Sequence, residues 1–347
     1  MSLHPVEAAW RRFRSSPGAA LLQECLRLQP EYLGSVGLAR LPAEVRLAGA
    51  VPWNILALQE ARARGEAIGE RLSTAGTRLA NSVACWAAYR EAKTIYTVEP
   101  LLADALGHTP WPDTVPTAAL RLPSRCPVLT LPWRGETVHV AAHYDLLTTA
   151  EASGRLELRL SLLAGDQWAP LSILHLVGDD LGACVRDAEH VTAELLEARD
   201  VHPEDRPPDG TAGVFHTDLP GLALTVLLYL GGEPDLVRQV HPGARPDREA
   251  RMRRRDPERW RDLRDPEAWL VGSAYRAAIE RWEFEQAREA GAPTGRTVRP
   301  HVRRAHAHLY WTGKGRAVPR IRFLLPIEVR GGAAGEEAEG ARTIEIR

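Results

Sequence analysis

Residues 295–329 read GRTVRPHVRRAHAHLYWTGKGRAVPRIRFLLPIEV, and the periodicity of this stretch decides the class of fold. Taken two by two, Arg304, His306, His308 and Tyr310 fall on one face and Ala305, Ala307, Leu309 and Trp311 on the other. That alternation belongs to a half-buried strand, not to a helix. Thr312-Gly313-Lys314-Gly315 follows as a turn, because glycine reaches the positive φ that hairpin loops need. Arg320 to Leu325 is the return strand, closed by Pro326. The stretch therefore predicts a β-hairpin pairing Arg303–Trp311 with Arg320–Ile327, apolar on one face and lined by imidazoles, guanidinium groups and a phenol on the other.

Working outward, more strands precede it. Pro127–Leu131, Thr137–Tyr144, Leu156–Leu162 and Leu171–Val177 are short runs separated by Gly-containing turns at Trp133–Glu136 and Gly165-Asp166. Short connections of this kind predict an antiparallel meander. Cys184–Arg199 reads as a helix packing on it, and Asp179-Asp180 as turn residues before that helix. Residues 1–110 read as helical: Val6–Arg14, Ala19–Leu28, Ile55–Leu72 and Asn81–Lys93, the last with Asn81 as its N-cap, then a short extended piece at Ile95–Val98. Leu219–Leu230 is apolar nearly all round, as a buried helix is. Pro242–Pro266 is rich in Arg but interleaved with acids, which cancel much of its field; it reads as a solvated segment or as a phosphate-binding arm. Glu267–Arg288 reads as a helix carrying Trp269, Tyr275 and Trp282. The fold class predicted is α+β: a helical N-terminal region (1–110), an antiparallel meander plus helix (111–201), and a C-terminal stretch (214–347) of helices, Arg-rich segment and hairpin.

The bulk composition narrows function by exclusion. Lys+Arg of 44 against Asp+Glu of 45 leaves a net charge of −1, so global charge points to no polyanionic partner and local patches matter more. The four cysteines, Cys25, Cys85, Cys126 and Cys184, match no zinc spacing and read as reduced, buried thiols. With no signal peptide and no apolar run of membrane-spanning length, a cytoplasmic protein is expected. There is no phosphate loop, dinucleotide fingerprint or Gly-x-Ser-x-Gly elbow.

Two stretches together carry a family resemblance: residues 92–132, AKTIYTVEPLLADALGHTPWPDTVPTAALRLPSRCPVLTLP, and Arg299–Val329 with its Arg-Arg-x-His-x-His-x-Tyr-Trp-Thr-Gly core. Thr225–Leu230 (TVLLYL) fits between them in the same order. The set resembles the plasmid- and phage-borne family that includes an anti-CRISPR directed at the type V-A effector nuclease. The resemblance implies interference with expression of a target gene, dependent on translation and ending in loss of the target mRNA, and not occlusion of the finished nuclease. It implies an mRNA, a translating ribosome or a nascent peptide as partner. It implies no catalytic residue.

The residues themselves leave three chemistries open. A metal-independent endoribonuclease needs a base, an acid and cations for the phosphorane; His306, His308 and Tyr310 are the catalytic candidates, with Arg304 beside them. A nucleic-acid-binding face would use Arg299, Arg303, Arg304, Lys314, Arg320 and Arg322, with Tyr310 and Trp311 as stacking surfaces; the same surface could instead take a nascent peptide at a sheet edge. A metal site on His301, His306 and His308 lacks the nearby carboxylates of known metallohydrolases, none lying between Arg296 and Pro326, and would have to draw further ligands from His139, His143 and Asp145 on the earlier strands, so neither metal nor cofactor is expected. His139 and His143 read as ordinary histidines on a polar sheet face. An interaction protein with no nucleic-acid role completes the alternatives.

Overall fold

The computed structural model describes residues 3–35, 51–65, 75–147, 155–188, 219–232, 237–243, 252–277, 279–280, 301–303, 306–324 and 327–329. Its centre is a seven-stranded mixed sheet flanked by helices on both faces. The strands are β1 (Thr94–Val98), β2 (Pro127–Trp133), β3 (Glu136–Leu147), β4 (Arg155–Ala164), β5 (Gln167–His175), β6 (Val237–Pro242) and β7 (Glu267–Val271), in the spatial order β5-β4-β3-β2-β1-β7-β6. The expected meander is present as β2 to β5, antiparallel throughout. The short extended piece near residue 95 does more than expected: β1 runs parallel to both β2 and β7 and so joins the meander to a C-terminal strand pair.

Alternation along the strands divides the core. Ile95, Val128 and Ala141 point to one face, where helices α1 (Pro5–Phe13), α2 (Gly18–Ser35), α3 (Trp53–Ala63) and α4 (Ala75–Ala92) supply Trp10, Phe13, Trp53, Trp86 and Tyr89. Tyr96, Leu129, Val140 and Ala142 point to the other, which is covered by α5 (Pro100–Gly107), α6 (Leu219–Gly232) and the C-terminal hairpin. One apolar layer on each side of a sheet is the arrangement that buries both of its faces. Helix α6 is apolar on every side because it lies inside this second layer: each residue from Leu222 to Leu230 is buried.

Three elements differ from the sequence reading. Glu267–Val271 is a strand, not the start of a helix; its Ala, Leu and Trp are compatible with either state, and pairing with β1 decides between them. The helix expected from Asn81 begins at Ala75, which puts Asn81 inside α4. There its buried side chain donates to the Trp168 carbonyl (2.8 Å) and tethers the helix to β5. Part of the Arg-rich segment is structured: α7 (Pro257–Leu263) is capped by Asp256, whose carboxylate accepts from the Arg259 amide (3.0 Å). Both of its acids reach α4. Arg90 of α4, 1% exposed, donates to Asp262 (2.5 Å) and Glu258 (2.7 Å), and Arg264 donates to the Glu91 carbonyl (2.9 Å). Arg253 and Arg264 both lie over the Trp260 ring.

Candidate functional site: the C-terminal hairpin

Strands β9 (His306–Thr312) and β10 (Val318–Leu324) pair antiparallel, close to the register expected. A shorter pair, β8 (His301–Arg303) with β11 (Ile327–Val329), lies beyond them in the chain. The loop between β9 and β10 carries its backbone strain on glycine, Gly313 at φ +79° and Gly315 at φ +73°, with Arg316 alone among side-chain-bearing loop residues at positive φ. Thr312 closes it by donating from Oγ1 to the Val318 carbonyl (3.1 Å).

The two faces separate as their periodicity requires. Ile321 and Phe323 are buried, and Ala307 and Leu309 pack beside them on the second core layer. Phe323 meets the Tyr229 ring of α6 at 6.0 Å between centroids. The approach is close enough that a Cβ at Gly232, the last residue of α6, would overlap the Ile321 carbonyl oxygen. On the opposite face His308, Tyr310, Arg320 and Arg322 are exposed. Tyr310 stands directly across from Arg320 and His308 from Arg322. The His308 and Tyr310 rings are 6.1 Å apart, so imidazole, phenol and two guanidinium groups form one contiguous patch. Lys314 and Arg316 sit exposed in the loop at its end. Trp311 belongs by alternation to the apolar face but lies past the core and is 49% exposed.

Of the other candidates, His306 lies on β9 opposite Leu324 and Arg303 on β8 opposite Ile327, as backbone positions. Arg299 and Arg304 lie outside the described residues. His139 bonds to Thr130 (3.0 Å between Oγ1 and Nδ1) and meets the His4 ring edge-on, far along the chain from the hairpin. Burial and the neighbouring His139 push the His4 imidazole down to about 4. His143 shares its face with polar neighbours, standing opposite Arg159, but that face is covered: the side chain is 1% exposed, beneath the helices of the first layer. Asp145 is equally buried, paired with Arg159 (3.2 Å), and burial raises its carboxyl to about 6.

A second concavity, unmarked in the sequence, lies on the same side of the sheet. A pocket of about 800 Å³ lies between α5, the β2–β3 turn, β5 and the start of α6. Trp111 and Trp133 form apolar walls, Asp104, His108 and Arg134 lie at its margin, and the Trp111 indole is fixed by donating to Thr225 of α6 (2.9 Å). Its lining comes from five separate segments, so no local motif marks it. Helix α6 connects the two features: its first residues line the pocket and its last seats the hairpin, roughly 20 Å away at the rise of an α-helix.

Among the described residues no helix is long and apolar enough to cross a membrane. No curated protein matches the sequence. Among solved structures, the crystal structure of AcrVA2 superposes with a TM-score of 0.54 at 17% identity, covering 95% of this chain and 100% of that one, which is a likeness of fold. A family model described as the anti-CRISPR type V subtype A2 family matches residues 96–331, from the central strand β1 through the hairpin. The match covers well over half of the sequence and takes in all but the first four residues of the two stretches that carry the resemblance, and the chain belongs to the AcrVA2-like family of anti-CRISPR proteins.

Proposed function

We propose that this anti-CRISPR protein lowers expression of its target at the level of the mRNA or its translation, and that it does so by binding through the exposed face of the hairpin. The observation that carries this reading is the juxtaposition of Tyr310 with Arg320 and of His308 with Arg322, with Lys314 and Arg316 at the loop. Guanidinium groups suit phosphate oxygens, and an exposed phenol and indole suit unstacked bases. A ribonuclease mechanism draws less support. His308 and Tyr310 stand exposed on a strand face, and a base and an acid need to be confined around one phosphate to cleave it. Arg303, Arg304 and Arg299 extend the same reading along the chain toward β8.

A second reading places a peptide of the target, emerging from the ribosome, in the pocket. Its size lies within the range of ligand sites, and its mixture of indole walls with an acid, an imidazole and a guanidinium at the rim suits an amphipathic chain.

The test is made in cells carrying a type V-A effector gene, following effector mRNA half-life with protein abundance matched. Replacing Arg320 and Arg322 together by Ala is expected to restore the half-life, as is Tyr310→Ala, while His308→Ala has a smaller effect. In vitro, association of the purified protein with RNA or ribosomes is expected to weaken as salt rises, because phosphate contacts release counterions. Restored mRNA in a Trp133→Ala variant, with the arginine pair dispensable, would transfer the function to the pocket. Loss of activity in His308→Ala with RNA binding intact would revive the nuclease.

A further inference from the structure

We propose that Cys85, Cys126 and His143 form a zinc site that joins helix α4 to the sheet. The three residues come from three elements: Cys85 from the middle of α4, Cys126 from the residue preceding β2, and His143 from β3. Their ligand atoms all lie within 4.8 Å of one another, and all three side chains are buried. Around a tetrahedral zinc, Zn–S bonds of about 2.3 Å and Zn–N bonds of about 2.1 Å place ligand atoms roughly 3.5–3.8 Å apart. The cluster would close by a small inward movement.

His143 is the independent sign that something belongs there. Neither of its ring nitrogens has a hydrogen-bond partner, although the side chain is 1% exposed. A buried imidazole left unpaired loses its hydration with no compensating bond, and native interiors rarely tolerate it. Burial and the Arg159 guanidinium push its pKa down to about 3, so the ring is neutral at any ordinary pH and offers a lone pair. Cys85 lies within hydrogen-bonding reach of Cys126 and Ser161, and burial raises it well above the usual thiol range. An isolated thiolate is therefore disfavoured there, whereas a dication reverses the balance. Zn²⁺ with two thiolates and a neutral imidazole is a neutral unit, which can be buried at little cost. Binding releases two thiol protons. Ser161, fully buried beside Cys85, is the oxygen nearest to hand for a fourth position. Sequence inspection misses the set because its members are spaced 85, 126 and 143 and share no motif.

The position gives the ion a structural role. It would cross-link α4, which carries Trp86, Tyr89 and Arg90, to the strands that position the opposite layer. Because the site is enclosed, metal enters on folding.

The experiment refolds the full chain from denaturant under reducing conditions with zinc, with cobalt, or with EDTA. Bound metal is then counted by mass spectrometry, and thiols are counted after denaturation. One equivalent of zinc, a thiolate-to-cobalt charge-transfer band with cobalt, and a Tm at least ~5 °C above the EDTA sample are expected. The Cys85→Ala/Cys126→Ala variant is expected to fold with the same Tm in zinc and in EDTA. A wild-type protein that folds with both thiols reduced and retains no zinc or cobalt overturns the proposal, and so does a Cys85–Cys126 disulfide in the protein as purified. The cobalt band is read on the wild type, so failure of the variant to fold leaves the test intact.

Discussion

Lys93 holds three parts of the chain with one ammonium group. It follows α4 directly, at φ +46°, a conformation that usually falls to glycine and that a side-chain-bearing residue keeps only when its contacts hold it there. Fully buried, it donates to the carbonyls of Asp262 (3.0 Å) and Arg264 (2.7 Å) and pairs with Glu7 of α1 (3.3 Å). Burial drives the Glu7 carboxyl up and the Lys93 ammonium down to about 8, and their mutual attraction opposes both shifts. Lys93→Met is expected to cost about 3–5 kcal/mol in denaturant unfolding, since it strands Glu7 and two carbonyls. Glu7→Gln/Lys93→Met is expected to cost clearly less than the sum of the single changes; strict additivity would show that the two groups do not act as a pair. His175 and Glu157 (3.1 Å) make a second pair with a readable pH window. The hydrogen bond that His175 donates to Glu157 raises the imidazole above its ordinary 6.5, and the Glu157 carboxyl, despite its burial, ends below its ordinary 4.5 through His175 and Arg159. The imidazole term is complete below pH 6.5 and fades as pH rises through the raised value. The carboxyl term is complete above pH 4.5 and fades as pH falls. The Tm difference between wild type and His175→Ala is thus expected to be largest between pH 4.5 and 6.5 and to shrink toward pH 8. A pH-independent difference would mean that packing, not charge, is what the substitution removes.

The elements that were legible in the sequence are those whose own pattern decides their state. The β9–β10 hairpin announced itself through strict alternation and a Gly-x-Gly turn, and α6 through an unbroken apolar run too short for a membrane. Glu267–Val271 and Asn81 were not legible, because what decides them lies far away in sequence: β7 is a strand through its register with β1, and Asn81 is buried because the Trp168 carbonyl needs a donor. The site divides in the same manner. The patch of His308, Tyr310, Arg320 and Arg322 follows from period two, whereas the pocket and the Cys85–Cys126–His143 cluster are assembled from distant segments. Docking of the hairpin is also an element-level property, and Gly232 tests it. A methyl group there meets backbone, not the yielding end of a side chain, so the hairpin must move as a unit. Gly232→Ala is expected to destabilise the protein by about 2–3 kcal/mol and to raise amide exchange selectively in β9 and β10. Uniform exchange across the sheet would instead indicate loss of the whole second layer.

Across the whole molecule, the family match and the folding unit have different limits. The match begins at Tyr96, the third residue of β1, and leaves out the helices α1 to α4. Those helices are not an appendage. They cover one entire face of the sheet, where Val128, Ala141 and Trp168 are fully buried against Trp10, Phe13 and Trp86. Trp86 alone lies within 5.7 Å of four other rings, those of Trp10, Phe13, Tyr89 and Trp168. Aromatic side chains of this kind each bury on the order of 150–250 Å², and at about 25 cal/mol per Å² their exposure outweighs the 5–15 kcal/mol by which a domain is ordinarily stable. The polar links run the same way: Arg90 and Lys93, at the end of α4, reach the carbonyls and carboxylates of α7 and the turn after it. A fragment starting at residue 94 would therefore expose an apolar sheet face and lose the anchor of α7, although it retains every residue of the family match. It is expected to be insoluble, or to be recovered as aggregate without a cooperative thermal transition. A monomeric fragment with a sharp transition and dispersed amide signals would show that the sheet, α5, α6 and the hairpin form a self-sufficient core, and that the N-terminal layer is there for something other than stability.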